Sequence, residues 1–365
     1  MSQRNGRQAL HYFAEGNTSQ GSVHLLESSL QQLDRVFILK GGPGTGKSEL
    51  IRAVGKALLD WGEDVWFLHC ARDPDSFDGV ISPSLRFGVV DGTPPHVVEP
   101  RLPGAVEEYV NLGEAWDAGN LRTRRAEMER LNDGIRQWHD KAYARFAEAL
   151  RVHDEWEAVY IGNFDRAAAD RLAERYRDIL FGDAARDHAS RIDRRFLGAA
   201  TPRGAVDFVP NLTAGLAKRY FLKGRPGTGK STFLKKLAQT AEERGFNTEI
   251  YHCGFDPNSV DMVIVRDLGF AVFDSTSPHE YFPERPGDEV IDMYELCTPG
   301  TDEAHAEVLR DVSIRYKTAM KEATSHLAQA RTLHEQLERI YASAVDFRKV
   351  DRMKAELIRI AESMR

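Results

Sequence analysis

The order of apolar and polar positions predicts the same short series of elements twice along the chain. In the first half, residues 35–41 (RVFILKG), 64–70 (DVWFLHC) and 85–91 (LRFGVVD) are β-branched or aromatic runs, which is the pattern of buried strands. Residues 47–62 have helical spacing and end in glycine, and DPDSFDGVI at 73–81 predicts a turn or a short helix. Strands that alternate with a helix at this spacing indicate an α/β fold with a parallel sheet and flanking helices.

Two longer segments, 114–181 and 302–364, have a different pattern. They are dense in Ala, Glu, Arg and Leu and almost free of Pro and Gly, which predicts helices. Each contains a His, a Glu and a Tyr at positions i, i+4 and i+7, on one helix face: His153, Glu157 and Tyr160 in the first segment, and His334, Glu338 and Tyr341 in the second. We expect these faces to make helix–helix contacts.

A ten-residue stretch occurs twice with one change, as LKGGPGTGKS at 39–48 and LKGRPGTGKS at 222–231. Lys230 follows Lys47 by 183 positions, and this offset holds without a gap from Phe13 and Phe196 to Gly104 and Gly287. A repeat this long is a duplicated domain rather than a solenoid. The prediction is therefore two domains, each a core followed by a helical arm: 1–185 (core 11–112, arm 113–182) and 186–365 (core 194–297, arm 302–364).

Composition narrows the class of protein. The chain has 365 residues, a formal net charge of −7 and only three cysteines, so neither a nucleic-acid-binding surface nor a disulfide framework is expected. No apolar run has the length of a membrane span, and the first residues have no signal-peptide pattern, which predicts a cytoplasmic protein that contacts no membrane. The charged arms are expected to contact a protein partner rather than nucleic acid.

Both copies of the repeated stretch fit the pattern G-x-x-x-x-G-K-[ST] between a strand and a helix. Glycines let successive backbone N–H groups turn inward to hold phosphate oxygens, and the helix N-terminus that follows favours the same anion. The lysine is expected to reach the β- and γ-phosphates, and the serine to bind Mg²⁺. The candidate nucleotide-binding residues are Gly41, Gly42, Pro43, Gly44, Thr45, Gly46, Lys47 and Ser48 in the first copy, and Gly224, Arg225, Pro226, Gly227, Thr228, Gly229, Lys230, Ser231 and Thr232 in the second.

An aspartate ends a hydrophobic strand in each copy, Asp91 in FGVVD and Asp274 in FAVFD. Enzymes with this loop place such an acid near the Mg²⁺ shell, so Ser48, Asp91, Ser231 and Asp274 are the candidate metal ligands. The alternative is an aspartate that only begins a turn. The next residue is Gly92 or Ser275 and not a glutamate that could serve as the base for water. Three alternatives follow: another group orients the water, hydrolysis is slow, or the phosphoryl group is transferred to another acceptor.

Further polar residues recur in both copies. His96 and His279 follow the acids and could sense or protonate a phosphate or only brace the loop, so we include them with Lys47, Asp91, Lys230 and Asp274 as candidate catalytic residues. Asp78 and Asp261 are weaker candidates, and Asp73 is expected to be a helix cap.

The chain resembles the P-loop NTPase superfamily over the cores of both halves. Two GxPGTGKS loops, each followed by HC..DP.S.D and D.T.PH, are similar to those of a bacterial family of tandem P-loop ATP-binding proteins. The resemblance implies two tandem P-loop cores, each with a helical appendage, and the cofactors ATP and Mg²⁺.

Three functions remain open. The first is a slow Mg²⁺-dependent ATPase or nucleotide-driven switch. The second is a nucleotide or small-molecule kinase. A kinase transfers phosphate to a hydroxyl and excludes water, so it needs no glutamate after the aspartate. The third is a non-catalytic ATP-binding module that holds a protein through its arms. Arg225, which replaces Gly42, is the position where we expect the two loops to differ in role.

Overall fold

A computed structural model describes residues 9–95 and 97–365, so His96 lies outside the described residues. The strands are β1 Ala9–Phe13, β2 Glu15–Thr18, β3 Gly21–His24, β4 Arg35–Lys40, β5 Val65–Cys70, β6 Asp73–Ser82, β7 Phe87–Asp91, β8 Glu107–Asn111, β9 Ile192–Phe196, β10 Gly198–Thr201, β11 Gly204–Asp207, β12 Lys218–Lys223, β13 Thr248–His252, β14 Val260–Val265, β15 Phe270–Asp274 and β16 Asp288–Asp292. The helices are α1 Leu26–Ser29, α2 Lys47–Asp60, α3 Ala118–Thr123, α4 Arg125–Ile161, α5 Arg166–Phe181, α6 Val209–Leu212, α7 Lys230–Glu243, α8 Thr301–Ala304, α9 Ala306–Ala342 and α10 Phe347–Ser363.

The chain divides into two compact units that do not coincide with the two sequence repeats. Unit 1 contains the described residues of Met1–Ala14, Leu30–Lys141 and Ser325–Arg365, and unit 2 contains Glu15–Ser29 and Ala142–Thr324. Each unit therefore combines the core of one repeat with helices from the arm of the other. The predicted boundary near residue 185 separates the two sequence repeats, not the two compact units, and it stays a prediction.

In unit 1 the strands lie in the order β1-β5-β6-β7-β4-β8. β4 pairs in parallel with β7 and β8, and β1 pairs in parallel with β5, whereas β6 runs antiparallel to both of its neighbours. α10 from the second arm packs on α2, where Val350, Leu357 and Ala361 join Val54 and Leu58 in one buried cluster. The core of the first repeat is thus covered by the last helix of the chain.

Unit 2 repeats this arrangement, with the order β9-β13-β14-β15-β12-β16. β12 is parallel to β15 and β16, and β14 is antiparallel to β13 and β15. α5 from the first arm packs on α7, and Tyr176 meets Phe233 edge-on at 5.9 Å between ring centroids. Two hairpins, β2–β3 and β10–β11, also belong to this unit.

A buried charged network crosses the sheet of unit 2. Glu249 accepts hydrogen bonds from Arg266 Nε at 2.5 Å, from the Tyr251 hydroxyl at 2.7 Å and from Arg195 Nη1 at 3.2 Å. Burial opposes the charge of Glu249, but the two guanidinium groups outweigh it and lower its pKa to about 2. A buried carboxylate in this setting is stable only while its cationic partners are present.

The α/β class, the strands at β4, β5 and β7, the helix α2 and the helical arms are confirmed. The expectation of a turn or short helix at 73–81 is wrong, because β6 occupies Asp73–Ser82 and makes the sheet mixed rather than parallel. The polar residues at the start of this segment are typical of a helix cap, whereas Val80 and Ile81, which are β-branched and fully buried, are typical of a strand. In the helices of residues 9–95 and 97–365, no segment has the length and apolar character needed to cross a membrane.

Candidate functional site

The first glycine-rich loop (41–48) connects β4 to α2 in unit 1. Gly44 and Gly46 have φ of 66° and 87°, a backbone conformation that glycine adopts without strain. At Gly41, an added Cβ would lie 3.0 Å from Thr45 Oγ1, and that hydroxyl donates to the Gly42 carbonyl at 2.8 Å. The loop is therefore closed by its own hydrogen bond and leads into the N-terminus of a fourteen-residue helix.

Lys47 folds back over this loop. Its Nζ donates to the carbonyls of Gly41 at 2.9 Å and Gly42 at 2.8 Å, and lies 3.6 Å from Asp91 Oδ2. Both side chains are almost buried, with 10% and 13% of their surfaces exposed. The ammonium group is thus held at the mouth of the loop beside a carboxylate.

The strand register explains why Asp91 is there. β7 lies beside β4 with Asp91 opposite Leu39, so the acid sits at the sheet edge where the loop begins. Its Oδ1 accepts hydrogen bonds from the Thr93 N–H at 2.8 Å and the Thr93 hydroxyl at 2.5 Å, while Oδ2 faces Lys47. Asp91 can therefore begin a turn through Oδ1 and still face a metal ion through Oδ2, so the two interpretations of this residue are compatible.

Ser48 is the first residue after Lys47 in α2. Its hydroxyl oxygen accepts the N–H of Phe77 from β6 at 2.9 Å. A hydroxyl oxygen has two lone pairs, so one remains for a cation. The unexpected strand β6 thus holds this side chain at the base of the loop.

The second glycine-rich loop (224–231) has the same geometry in unit 2. Lys230 Nζ donates to Gly224 O at 2.9 Å and Arg225 O at 3.1 Å, and lies 3.5 Å from Asp274 Oδ2. Asp274 Oδ1 accepts from the Thr276 N–H and hydroxyl at 3.0 and 2.6 Å, and Ser231 Oγ accepts the Val260 N–H at 2.9 Å.

A cleft of about 730 Å³ opens beside the second loop. Its lining includes Pro226 and Thr232 with the rest of the loop residues 225–231, together with Asp274 and His279, so the structure brings the candidates of the second repeat together. In unit 1, the candidates Gly41 to Ser48 and Asp91 are also together, with Pro43 inside the loop. His96 cannot be compared, because it lies outside the described residues.

His279 pairs with a carboxylate that the sequence did not single out. Its Nδ1 lies 2.7 Å from Asp207 Oδ2 at the end of β11. Burial of His279 opposes its charge, but the hydrogen bond with Asp207 and the negative charge there raise its pKa above the ordinary value. At the offset of 183, the first repeat has His24 where the second has Asp207. A comparison of the two repeats therefore does not identify Asp207 as a candidate.

Asp261, the counterpart of Asp78, lines the same cleft. Burial and the negative charge of Asp274 raise its pKa to about 6. Two carboxyl groups that repel each other near a lysine form a place where a divalent cation would relieve the repulsion. Asp73 caps no helix, because it begins β6, and its carboxylate pairs with Arg331 of α9 at 3.0 Å.

The first arm contacts the second loop within unit 2. Gly227 has a φ of 79°, and an added Cβ would lie 2.7 Å from the carbonyl oxygen of Glu157 in α4. Phe164 lies against Gly229 in the same way, at 3.2 Å from an added Cβ. His153 and Glu157 also line the cleft. The helix face at 153–160 therefore meets the loop.

The second arm contacts the first loop within unit 1. A Cβ at Gly44 would collide with the Glu338 carbonyl of α9, and one at Gly42 would lie 2.6 Å from the Tyr341 ring. Burial and the charge of Arg331 lower the pKa of His334 to about 4. The repeated His/Glu/Tyr face meets a glycine-rich loop in both units, and in unit 2 it also makes the expected contact with another helix, because the centroid of the His153 ring lies 5.8 Å from that of the Tyr316 ring of α9.

Arg225 holds the second loop to the arm. Its guanidinium pairs with Asp302, which also accepts the Tyr160 hydroxyl at 2.7 Å, and stacks over the Tyr294 ring at 4.9 Å from the centroid. In the first loop Gly42 stands at this position and Tyr341 packs directly on it. The difference between Arg225 and Gly42 thus gives the two loops different contacts with the helical arms.

Comparisons of the chain with protein-family profiles, curated protein sequences and solved structures gave no match. The function is therefore argued from the geometry of the two loops alone.

Proposed function

We propose that this chain binds ATP with Mg²⁺ at both glycine-rich loops and acts as a slow ATPase or nucleotide-driven switch. The observation that carries the proposal is the pairing of a nearly buried lysine with a strand-end aspartate at the mouth of each loop, at 3.6 and 3.5 Å. A loop that only turned the chain would gain nothing from burying a lysine there.

The donor sets fit the proposed ligands. Glycines with positive φ and a helix N-terminus offer inward N–H groups and a partly positive end to phosphate. Serine and aspartate oxygens are the hard ligands that Mg²⁺ prefers. Lys47 already donates to two loop carbonyls and has a third N–H for a phosphate oxygen.

The switch follows from the arms. Because Glu157 and Glu338 place backbone carbonyls against loop glycines, any adjustment of a loop on binding phosphate presses on a helix. Slow turnover is consistent with Gly92 and Ser275 after the acids, since neither can activate water. Nucleotide occupancy would then bias arm position, in the way other phosphate switches bias a bistable element.

Nucleotide stoichiometry tests the proposal. Equilibrium dialysis with ATP and Mg²⁺ should find two ATP per chain, one in Lys47→Ala, one in Lys230→Ala and none in the double variant. Lys56→Ala is the control, because it removes the same charge from an exposed position of α2. Equal binding by the double variant and the wild type would refute the proposal.

A further inference from the structure

The loop after β15 and the hairpin β10–β11 form a hydrogen-bonded histidine–carboxylate pair in unit 2. His279 Nδ1 and Asp207 Oδ2 are 2.7 Å apart, and only 14% and 11% of the two side chains are exposed. A pair this sheltered and this short holds the imidazole in one orientation.

Asp207 is itself fixed. Its Oδ1 accepts hydrogen bonds from the Tyr281 hydroxyl at 2.6 Å and from the Val209 N–H at 3.1 Å. Burial opposes the charge of Asp207, but the hydrogen bond with His279 and its positive charge, together with these two contacts, outweigh burial and hold the pKa of Asp207 below its ordinary value. An acceptor at Oδ2 places the ring proton on Nδ1, which makes Nε2 the basic nitrogen.

The remaining ring nitrogen is available. In the described part of the chain no hydrogen bond reaches His279 Nε2, and His279 lines the cleft beside Lys230 and Asp274. Space for the ring depends on Gly198, where an added Cβ would lie 2.8 Å from His279 Cε1. An oriented imidazole with a free nitrogen in a cleft is the arrangement of a general base.

The residues that build this pair are not repeated at the same positions in the first half of the chain. At the offset of 183, His24 replaces Asp207, Val98 replaces Tyr281, and Glu15 replaces Gly198. The carboxylate, its supporting hydroxyl and the glycine that leaves room for the ring are all changed, whereas the loop lysine, serine and acid are identical in both repeats.

We propose that His279 is the general base of the second site, that Asp207 is its positioning residue, and that the second loop alone supports hydrolysis. This inference rests on the proposed function, because it requires ATP at that loop. The first loop then binds nucleotide without turnover.

The chemistry balances with water and ATP as the reactants. Water gives a proton to Nε2 as its oxygen bonds to the γ-phosphorus, and the bond from that phosphorus to the β–γ bridging oxygen breaks. ADP leaves with the electron pair, phosphate is released, and the imidazolium returns its proton to solvent. Asp207 stays ionised throughout and stabilises the imidazolium.

This role has a pH signature. The charged groups that act on His279 are Asp207, Asp261 and Asp274, and together they outweigh burial and raise its pKa above the ordinary value. Hydrolysis needs the neutral ring, so the rate should rise with pH through that pKa. Asp207→Asn removes the first of these charges, and the rising limb should move to lower pH while the maximum rate falls.

The experiment uses the full chain with Lys47→Ala, so that only the second loop is occupied, and measures ATP binding and single-turnover phosphate release. His279→Gln should slow release by about 10²–10⁴-fold with ATP affinity unchanged. Glu280→Gln, a neighbour whose carboxylate is half exposed and pairs with Lys223 at 3.5 Å, is the control and should leave the rate unchanged. Imidazole in the buffer should partly restore release by His279→Ala.

The outcomes separate the two proposals. Binding of ATP with undiminished release in His279→Gln overturns the inference alone, and so does continued hydrolysis by Lys230→Ala. A slower rate with no shift of the pH limb in Asp207→Asn and no imidazole rescue would show that the pair only braces the hairpin. A chain that binds no ATP overturns the proposed function and this inference with it.

Discussion

The contact between Gly227 and the first arm can be tested by adding a single methyl group. Gly227→Ala forces a residue with a side chain to a φ of 79°, and its Cβ would lie 2.7 Å from Glu157 O and 3.1 Å from Glu157 Cα. Both atoms are helix backbone, so neither can rotate away as a flexible side chain would. Either the loop or α4 has to move.

The chain contains a matched control for the backbone cost. Gly300 has a φ of 83°, and an added Cβ there meets nothing within 4 Å. Gly300→Ala should therefore show the left-handed penalty alone, about 1–2 kcal/mol. Gly227→Ala adds the cost of overpacking, about 1–3 kcal/mol, so it should be the more destabilising variant by that difference.

Urea unfolding of both variants measures these free energies, and hydrogen exchange locates the change. We expect faster exchange of α4 amides near Glu157 in Gly227→Ala and unchanged exchange there in Gly300→Ala. Equal unfolding free energies together with equal α4 exchange would show that the arm does not rest on the second loop, and would refute the switch as argued from these contacts.

Two further perturbations test charged contacts in unit 2. The Glu249 carboxylate, with a pKa near 2 against an ordinary 4.5, should contribute roughly 3 kcal/mol that is present above pH 4.5 and lost as pH falls towards 2. Urea unfolding of Glu249→Gln should show lower stability at pH 7 and a flatter decline between pH 4.5 and 3; an unchanged profile would contradict the role of its arginine partners. Arg225→Gly, which copies the first loop, should cost under about 1 kcal/mol because the pair with Asp302 is about 40% exposed, yet increase hydrogen exchange at α8. Hydrogen exchange at α8 equal to that in the wild type would show that the ion pair between Arg225 and Asp302 does not stabilise α8.

Local pattern was enough to find the loops, the acids and the strands β4, β5 and β7, because each depends on residues adjacent in sequence. The strand β4, the glycines and the helix α2 follow one another, and Asp91 ends a run of buried residues. By contrast, the packing partner of an arm depends on the path of the chain through 180 or so residues, which periodicity does not encode. The sequence therefore predicted the arms as helices, whereas the packing of α10 on α2 and of α5 on α7 is visible only in the fold.

The pair formed by Asp207 and His279 was missed for a different reason. A comparison of the two repeats identifies the residues that both share and passes over residues that occur in one of them. Asp207 stands opposite His24 under that comparison and drops out. A carboxylate near a histidine 72 positions away is visible only when the fold has brought β11 beside the loop that follows β15.

The two loops share their own geometry but differ in the residues around them. The elements that would hold a phosphate have the same geometry in both units, since each lysine donates to two loop carbonyls and faces its acid at 3.6 or 3.5 Å. The pair formed by His279 and Asp207, with the Tyr281 hydroxyl and the space at Gly198, lies in unit 2, and at the offset of 183 the first repeat has His24, Val98 and Glu15 in place of Asp207, Tyr281 and Gly198. The proposed division, with hydrolysis at the second loop and binding at the first, rests on this difference, and phosphate release by Lys47→Ala and Lys230→Ala tests it.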